Sequence, residues 1–331
     1  MKGSWSLFAA LLFILVFVAT KLQYEHFKIE RRWDYYLGRR RAGSSLLPRG
    51  IVQSTSDLQL RPLWTSSRPS FLQDDAREKS SALLAVPVGL KQKRNVDTMV
   101  KKFLSVNSSI LLFHYDGNVD AWNDLDWSNK AIHILAQNQT KWWFAKRFLH
   151  PDVVYIYDYI FLWDEDLGVD NFHPGRFLQT MISEGLEIAQ PALDPDLSEV
   201  HHRITIRNKK EKVHRWIEGM APVFSREAWR CVWHLIQNDL IHGWGLDMKI
   251  GYCAQGDRTE KVGVIDSEYI VHHGVPSLGG VSGNKAPSDR SLDLRTHIRR
   301  QSMAELEVFR QRWDQAVRED EGWADPFDDF K

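Results

Sequence analysis

Tyr157-Asp158-Tyr159-Ile160-Phe161-Leu162-Trp163-Asp164-Glu165-Asp166 is the stretch from which the fold of this chain can be read. Five consecutive aromatic or aliphatic residues, Tyr159 to Trp163, give way abruptly to three carboxylates. Such a run, too short for a helix and apolar on both faces, predicts a strand buried in a parallel sheet. In an open α/β sheet, ligands bind in the crevice beyond the carboxyl ends of the strands, so the acids stand where a site is expected. Residues two apart in an extended segment point the same way. Asp164 and Asp166 therefore share a position, and Glu165 faces elsewhere. Two hard oxygen donors at one point suit Mn²⁺ or Mg²⁺, which in turn bridge diphosphate oxygens. The bland alternative is a solvated turn of acids.

Working outward, the same punctuation repeats. Leu83 to Val88, Ile110 to Phe113, Ala131 to Ala136, Tyr157 to Trp163 and Leu186 to Gln190 read as strands. Helical periodicity falls between them at Val96 to Phe103, Lys141 to Leu149 and Pro174 to Glu184. After about residue 200 come a short run at Met220 to Phe224, a helix at Arg226 to Gln237 and a last strand at Val262 to Val271. This βαβ series predicts an α/β fold with a mostly parallel sheet flanked by helices.

The uncharged run from Gly3 to Thr20 is long enough, at about 1.5 Å per residue, to cross a roughly 30 Å hydrocarbon layer. It predicts an N-terminal membrane anchor helix over 1–20, followed by a stem or linker over 21–80, the α/β body over 81–280 and a peripheral helical and acidic tail over 281–331. The basic residues after the span favour a cytosolic body. Two glycosylation sequons, Asn107-Ser108-Ser109 and Asn138-Gln139-Thr140, favour a lumenal one. With 43 basic against 43 acidic residues, the chain has no excess charge for gripping a polyanion, which argues against a nucleic-acid binder. Hydrophobic residues at 43% exclude global disorder. Two cysteines, Cys231 and Cys253, allow one lumenal disulfide and no cysteine-rich zinc module.

Other candidate site residues cluster near glycines. Glu218 precedes Gly219, and Asp247 follows Gly243-Trp244-Gly245; either carboxylate is placed to act as a base toward a hydroxyl. Trp244 and Trp163 offer aromatic faces for a sugar ring. The bland readings make Trp244 core, Glu218 a surface acid and Asp247 a helix N-cap. His272 and His273 end the last strand, and because neighbours on a strand face opposite ways, at most one reaches the site.

The segments His114 to Asp120, Gln139 to Asp152, Trp163 to Leu167 and Glu218 to Ser225 resemble a plant family of unknown function, often labelled lysine-ketoglutarate-reductase trans-splicing-related. The resemblance covers roughly Leu83 to Gly280. No Gly-x-Gly-x-x-Gly follows a strand here, so that label implies no dinucleotide chemistry. The βαβ series with Asp164-x-Asp166 also looks like a glycosyltransferase of the A-type fold, a nucleotide-diphospho-sugar transferase-like arrangement anchored in the Golgi. That resemblance implies a nucleotide sugar and a glycan acceptor as partners. Asp116 would hold the nucleoside; Asp164, Asp166 and His272 or His273 would hold the metal; Asp247 or Glu218 would take the acceptor proton. Members of the plant family carry an extra cysteine-containing stretch between the equivalents of Arg215 and Trp216, which are joined directly here. If that stretch shapes the acceptor pocket, its absence implies a splice form with reduced or absent activity. A non-catalytic membrane-anchored protein retaining the fold and a metal-dependent lumenal hydrolase are the rival readings.

Overall fold

The computed structural model describes residues 21, 47–51, 81–209, 213–214, 216–275 and 289–327. The chain divides into Met1–Gly43 and Ser44–Lys331, and every element named below belongs to the second unit. The expected anchor over 1–20 lies outside the described residues, as does most of the stem. Among the described residues no helix is long and apolar enough to cross a membrane.

β1 (Ala82–Val88), β2 (Ser109–His114), β3 (Ile132–Leu135) and β4 (Tyr159–Leu162) form a parallel half-sheet in the order β3-β2-β1-β4. The apolar run of β1 serves two cores. Leu83 and Ala85 face one, Leu84 and Val86 the other, as strand alternation requires. α1 (Lys93–Leu104) buries Val96, Met99, Val100 and Phe103, a stripe spaced three and four apart, on the second face. α2 (Lys141–Phe148), capped by Thr140, whose hydroxyl accepts from the Trp143 amide at 3.3 Å, covers the first.

The second half departs from simple parallel order. α3 (Pro174–Ser183) starts with proline in its first turn and ends before Gly185, at φ +65°. β6 (Ile188–Leu193) and β9 (Val262–His272) pair in parallel, but β8 (Val223–Ser225) is inserted antiparallel between β4 and β6. The register of β6 on β9 shifts between Pro191 and Ala192, so Asp266 to Glu268 bulge out of the ladder. Two two-residue strands, β5 (Leu167–Gly168) and β7 (Val213–His214), pair antiparallel with β9.

α4 (Arg226–Leu235), α5 (Leu246–Ile250) and α6 (Arg258–Lys261) follow β8 and lead into β9. A disulfide joins Cys231 on α4 to the buried Cys253, with 5.3 Å between their Cα atoms. α7 (Asp289–Glu319) is highly charged, yet it is not peripheral as its composition suggests. Phe309, Trp313 and Ala316 enter the same core as Leu47 and Ile51. Their spacing of four and three residues is the apolar stripe of a docked helix.

Candidate active site

From β1 the chain moves to β2 and β3 on one side, then returns to β4 on the other. The β1/β4 boundary is therefore the point where strand order reverses, the expected place for a crevice. Backbone hydrogen bonds from Trp163 to the Ala85 carbonyl (3.1 Å) and from Asp164 to the Met220 carbonyl (2.9 Å) extend the ladder until the acids emerge.

These acids do not form a solvated turn, because each is held by a different partner. Asp164 pairs with Lys141 Nζ at 2.7 Å. Glu165 turns toward the ends of β1 and β2, accepting from the Gly89 amide at 2.7 Å and from the Tyr115 hydroxyl. Asp166 accepts from the Val275 amide at 2.8 Å and lies 3.6 Å from His272 Nε2. Burial pushes the Glu165 carboxyl up to about 8 despite those two hydrogen bonds. Burial, reinforced by the neighbouring Asp164 charge, also raises Asp166.

The β5–β9 pairing explains the histidines. Leu167 stands opposite His272, so the imidazole of His272 reaches back to Asp166. Its Nδ1 lies 2.7 Å from the Glu199 carbonyl, an acceptor only, so Nδ1 carries the proton. Nε2 is the ring nitrogen that faces Asp166. His273 faces the other way, and its ring lies against Gly168. Among the described residues no three His, Cys, Asp or Glu side chains are grouped closely enough to hold a metal ion. Of the four residues expected to hold a metal, the structure brings Asp166 and His272 together, ties Asp164 to Lys141 and turns His273 away.

The two glycine-flanked carboxylates converge on the same neighbourhood. Glu218 is 3% exposed, with Thr205 and the His202 backbone beside its carboxylate. The Thr205 hydroxyl lies 2.8 Å from the His202 carbonyl. Burial raises the Glu218 carboxyl, and the adjacent His202 and Thr205 oppose that rise. Lys141 Nζ also donates to the Gly219 carbonyl at 2.5 Å, which fastens this segment to Asp164. Asp247 is not an N-cap. Gly245, at φ +96°, occupies that position and Asp247 sits in the first turn of α5. Its carboxyl accepts the Met248 amide at 3.0 Å and is raised by burial, again with His202 among the charges it feels. Trp142 joins the two segments, because its indole packs against both Gly219 and Gly243. Trp244 is 40% exposed beside them.

Asp116 follows β2 and bridges two loops, accepting from the Leu90 amide at 2.8 Å and the Asn118 amide at 3.0 Å. Burial works against its charge, but those hydrogen bonds hold the carboxyl below its ordinary value. Trp163 must be reassigned. It shares the face of Phe161, is fully buried, and packs edge-on against Phe103 with ring centroids 5.5 Å apart, so it has no face to offer a sugar. Sequence reasoning missed Lys141, Tyr115 and His202, whose site partners lie 16 to 79 residues away in the chain.

The chain matches the family described as "Protein of unknown function (DUF707)" over residues 39–216 and 215–319, and belongs to it. The two matched segments meet at Arg215 and Trp216, the junction at which the resemblance implies a missing stretch. No curated protein matches. Among solved structures, 4-diphosphocytidyl-2C-methyl-D-erythritol synthase from Anaerococcus prevotii is similar at 10% identity and a TM-score of 0.38, covering 67% of this chain and 96% of that one. The mannosyltransferase Ktr4p from S. cerevisiae, in complex with GDP, is similar at 9% identity and a TM-score of 0.26, covering 47% of this chain and 50% of that one.

Proposed function

We propose that this member of the DUF707 family is a metal-dependent glycosyltransferase that moves a sugar from a nucleotide-sugar donor to a glycan acceptor. One observation carries the reading: at the strand-order reversal, Asp166 faces an imidazole whose Nδ1 is committed to the Glu199 carbonyl, leaving Nε2 available 3.6 Å away. A histidine fixed through its second nitrogen is the usual second-sphere arrangement of a metal ligand. Mg²⁺ at diphosphate sites takes one or two carboxylates and completes its shell with phosphate and water, so a sparse protein donor set fits the group. Asp166 and His272 would hold the cation, with Asp164 released from Lys141 as a third ligand. Mn²⁺ or Mg²⁺, when bound, supplies positive charge to a diphosphate leaving group.

The remaining roles belong to the chain's own groups. Lys141, between Asp164 and the Gly219 carbonyl, supplies a second cation at the crevice. Asp116 and Tyr115 frame the nucleoside side, and Trp244 offers its exposed indole to the acceptor sugar. In the transfer, the acceptor oxygen bonds to the anomeric carbon as the bond from that carbon to the phosphate oxygen breaks. The hydroxyl proton passes to Asp247, with Glu218 the alternative base, and the nucleoside diphosphate leaves.

The body is proposed to be lumenal, in the Golgi, behind a single N-terminal membrane span. The Cys231–Cys253 pair supports this, because disulfides persist in oxidising compartments. So do the two sequon asparagines, both on exposed turns at φ +61° and +57°. A second reading, a non-catalytic protein retaining the fold, is favoured by the division of the family match at Arg215 and Trp216. Calorimetric titration of the full chain with nucleoside diphosphates, with and without Mn²⁺, separates the two. Mn²⁺-dependent binding is expected, and no binding of either nucleotide or metal refutes the enzyme.

A further inference from the structure

The loop from Ile241 to Asp247, which carries Trp244 and Asp247, is held from two sides. On one side stands α2, where the Thr140 hydroxyl donates to the Ile241 carbonyl and the Trp142 indole packs against Gly243. On the other stands α7. Glu305 accepts the His242 backbone amide at 2.8 Å through one oxygen and meets His242 Nδ1 at 2.9 Å through the other. Leu306 and Phe309 close on Gly245, where an added Cβ would lie 2.8 Å from Leu306 Cδ1 and 3.0 Å from Phe309 Cδ1. Between these contacts the loop has little stiffness of its own, because Gly243 and Gly245 sit at φ +70° and +96°. Its course is set by what holds it.

Glu305 is out of character for its place on the helix. The docking stripe of α7 runs through Ser302, Glu305, Phe309, Trp313 and Ala316, all buried, and the last three are its apolar core contacts. A helix docked for stability alone is served best by continuing the apolar stripe, because burying a carboxylate costs free energy that only its hydrogen bonds offset. The stripe instead turns polar where it meets the loop. Both Glu305 oxygens go to one loop residue, with a longer contact of 3.3 Å from Gln301 beside them. A carboxylate accepts only, so His242 Nδ1 carries the proton. Bonds to the backbone and to the ring of the same residue fix both where the chain passes and how the imidazole is turned.

We propose that Glu305 is a positioning residue for the acceptor side of the site: by fixing His242 it sets the course of the loop that presents the Trp244 indole and the Asp247 carboxylate. The C-terminal helix is then part of the transfer machinery. The inference rests on the transferase reading, in which Asp247 takes the acceptor proton.

Hydrogen exchange of the full chain in detergent, read by mass spectrometry on peptides spanning 241–248, tests it. Glu305→Gln leaves one acceptor where two donors need partners, so the loop amides should exchange roughly tenfold faster or more, with peptides of β1 to β4 unchanged. His242→Leu should loosen the loop as well. His242→Asn keeps a side-chain donor near the place of Nδ1 and should restore most of the protection. Ala316→Gly, which loosens α7 at its separate contact with Gly50, should leave the loop protected. In transfer from UDP-glucose or GDP-mannose to the corresponding methyl glycosides, Glu305→Gln should raise the acceptor KM roughly tenfold or more and leave the donor KM unchanged. Loop exchange that is unchanged in Glu305→Gln, equally fast in Ala316→Gly, or equally fast in His242→Asn and His242→Leu overturns this inference alone. So does a fall in kcat with both KM values kept, the mark of a smaller folded fraction. Absence of UDP and GDP binding to the wild-type chain with Mn²⁺ overturns the transferase reading beneath it.

Discussion

Replacing Gly243 by alanine tests how Trp142 joins the two carboxylate-bearing segments. Gly243 has φ +70°, and a Cβ there would lie 2.2 Å from Trp142 Cδ1 and 2.6 Å from Cγ. Two costs follow. The left-handed backbone conformation costs a residue with a Cβ about 1 to 2 kcal/mol. Displacing a nearly buried indole is overpacking, typically another 1 to 3 kcal/mol. The sum is about 2 to 5 kcal/mol. Gly185 isolates the first cost, because its φ of +65° is nearly the same, while its added Cβ would meet only the far end of Lys261, 3.1 Å away. Urea unfolding of the two variants, read as midpoints at a common m value, should therefore find Gly243→Ala more destabilised than Gly185→Ala by at least about 1 kcal/mol. Because Trp142 adjoins Lys141, Gly243→Ala should also weaken nucleotide binding, and Gly185→Ala should not. Equal losses of stability in the two variants would refute the argument that Trp142 fills the space beside Gly243.

Three further outcomes are expected. His114 is fully buried, its Nε2 2.8 Å from His133 Nδ1, and burial lowers it to about 4. The unfolded chain then binds a proton between pH 6.5 and 4 that the folded chain does not, so stability should fall as pH drops through that window, by up to about 3 kcal/mol from this residue. Thermal unfolding of wild type and His114→Gln across that range checks it, the variant losing less. Reducing the Cys231–Cys253 bond, with its sequence separation of 22, should cost roughly 3 kcal/mol by loop-closure entropy, seen as a lower urea midpoint under reductant. Asp247→Asn should lower transfer by roughly 10² to 10⁴ while leaving nucleotide affinity nearly unchanged. Full turnover in that variant would pass the base to Glu218.

The parallel half of the sheet was legible because each of its inner strands is apolar on both faces and each intervening helix has a clear stripe. β8 was harder to read. It is three residues long and sits antiparallel between two strands far away in sequence, and neither property leaves a period in the chain. The acids at the end of β4 were visible as an abrupt change from apolar to charged, and the same alternation that sends Glu165 away from Asp164 and Asp166 also puts Trp163 on the face of Phe161. Applied one residue earlier, it would have assigned that indole to the core. Nothing local distinguishes Lys141 from any lysine at a helix start, and its role comes from Asp164 and Gly219, which only the fold brings near. The docking of α7 was encoded in Phe309, Trp313 and Ala316 but diluted by the surrounding charge.

The central claim, that Asp166 and His272 are the protein half of a metal-diphosphate site, is tested most directly by an anomalous-diffraction experiment on crystals of the chain grown with Mn²⁺ and a nucleoside diphosphate. The account predicts one Mn²⁺ peak about 2.1 Å from an Asp166 carboxylate oxygen and from His272 Nε2, with diphosphate oxygens completing its shell, and its loss in Asp166→Asn. A nucleotide bound elsewhere, or a bound diphosphate with no metal between it and these two side chains, would contradict it.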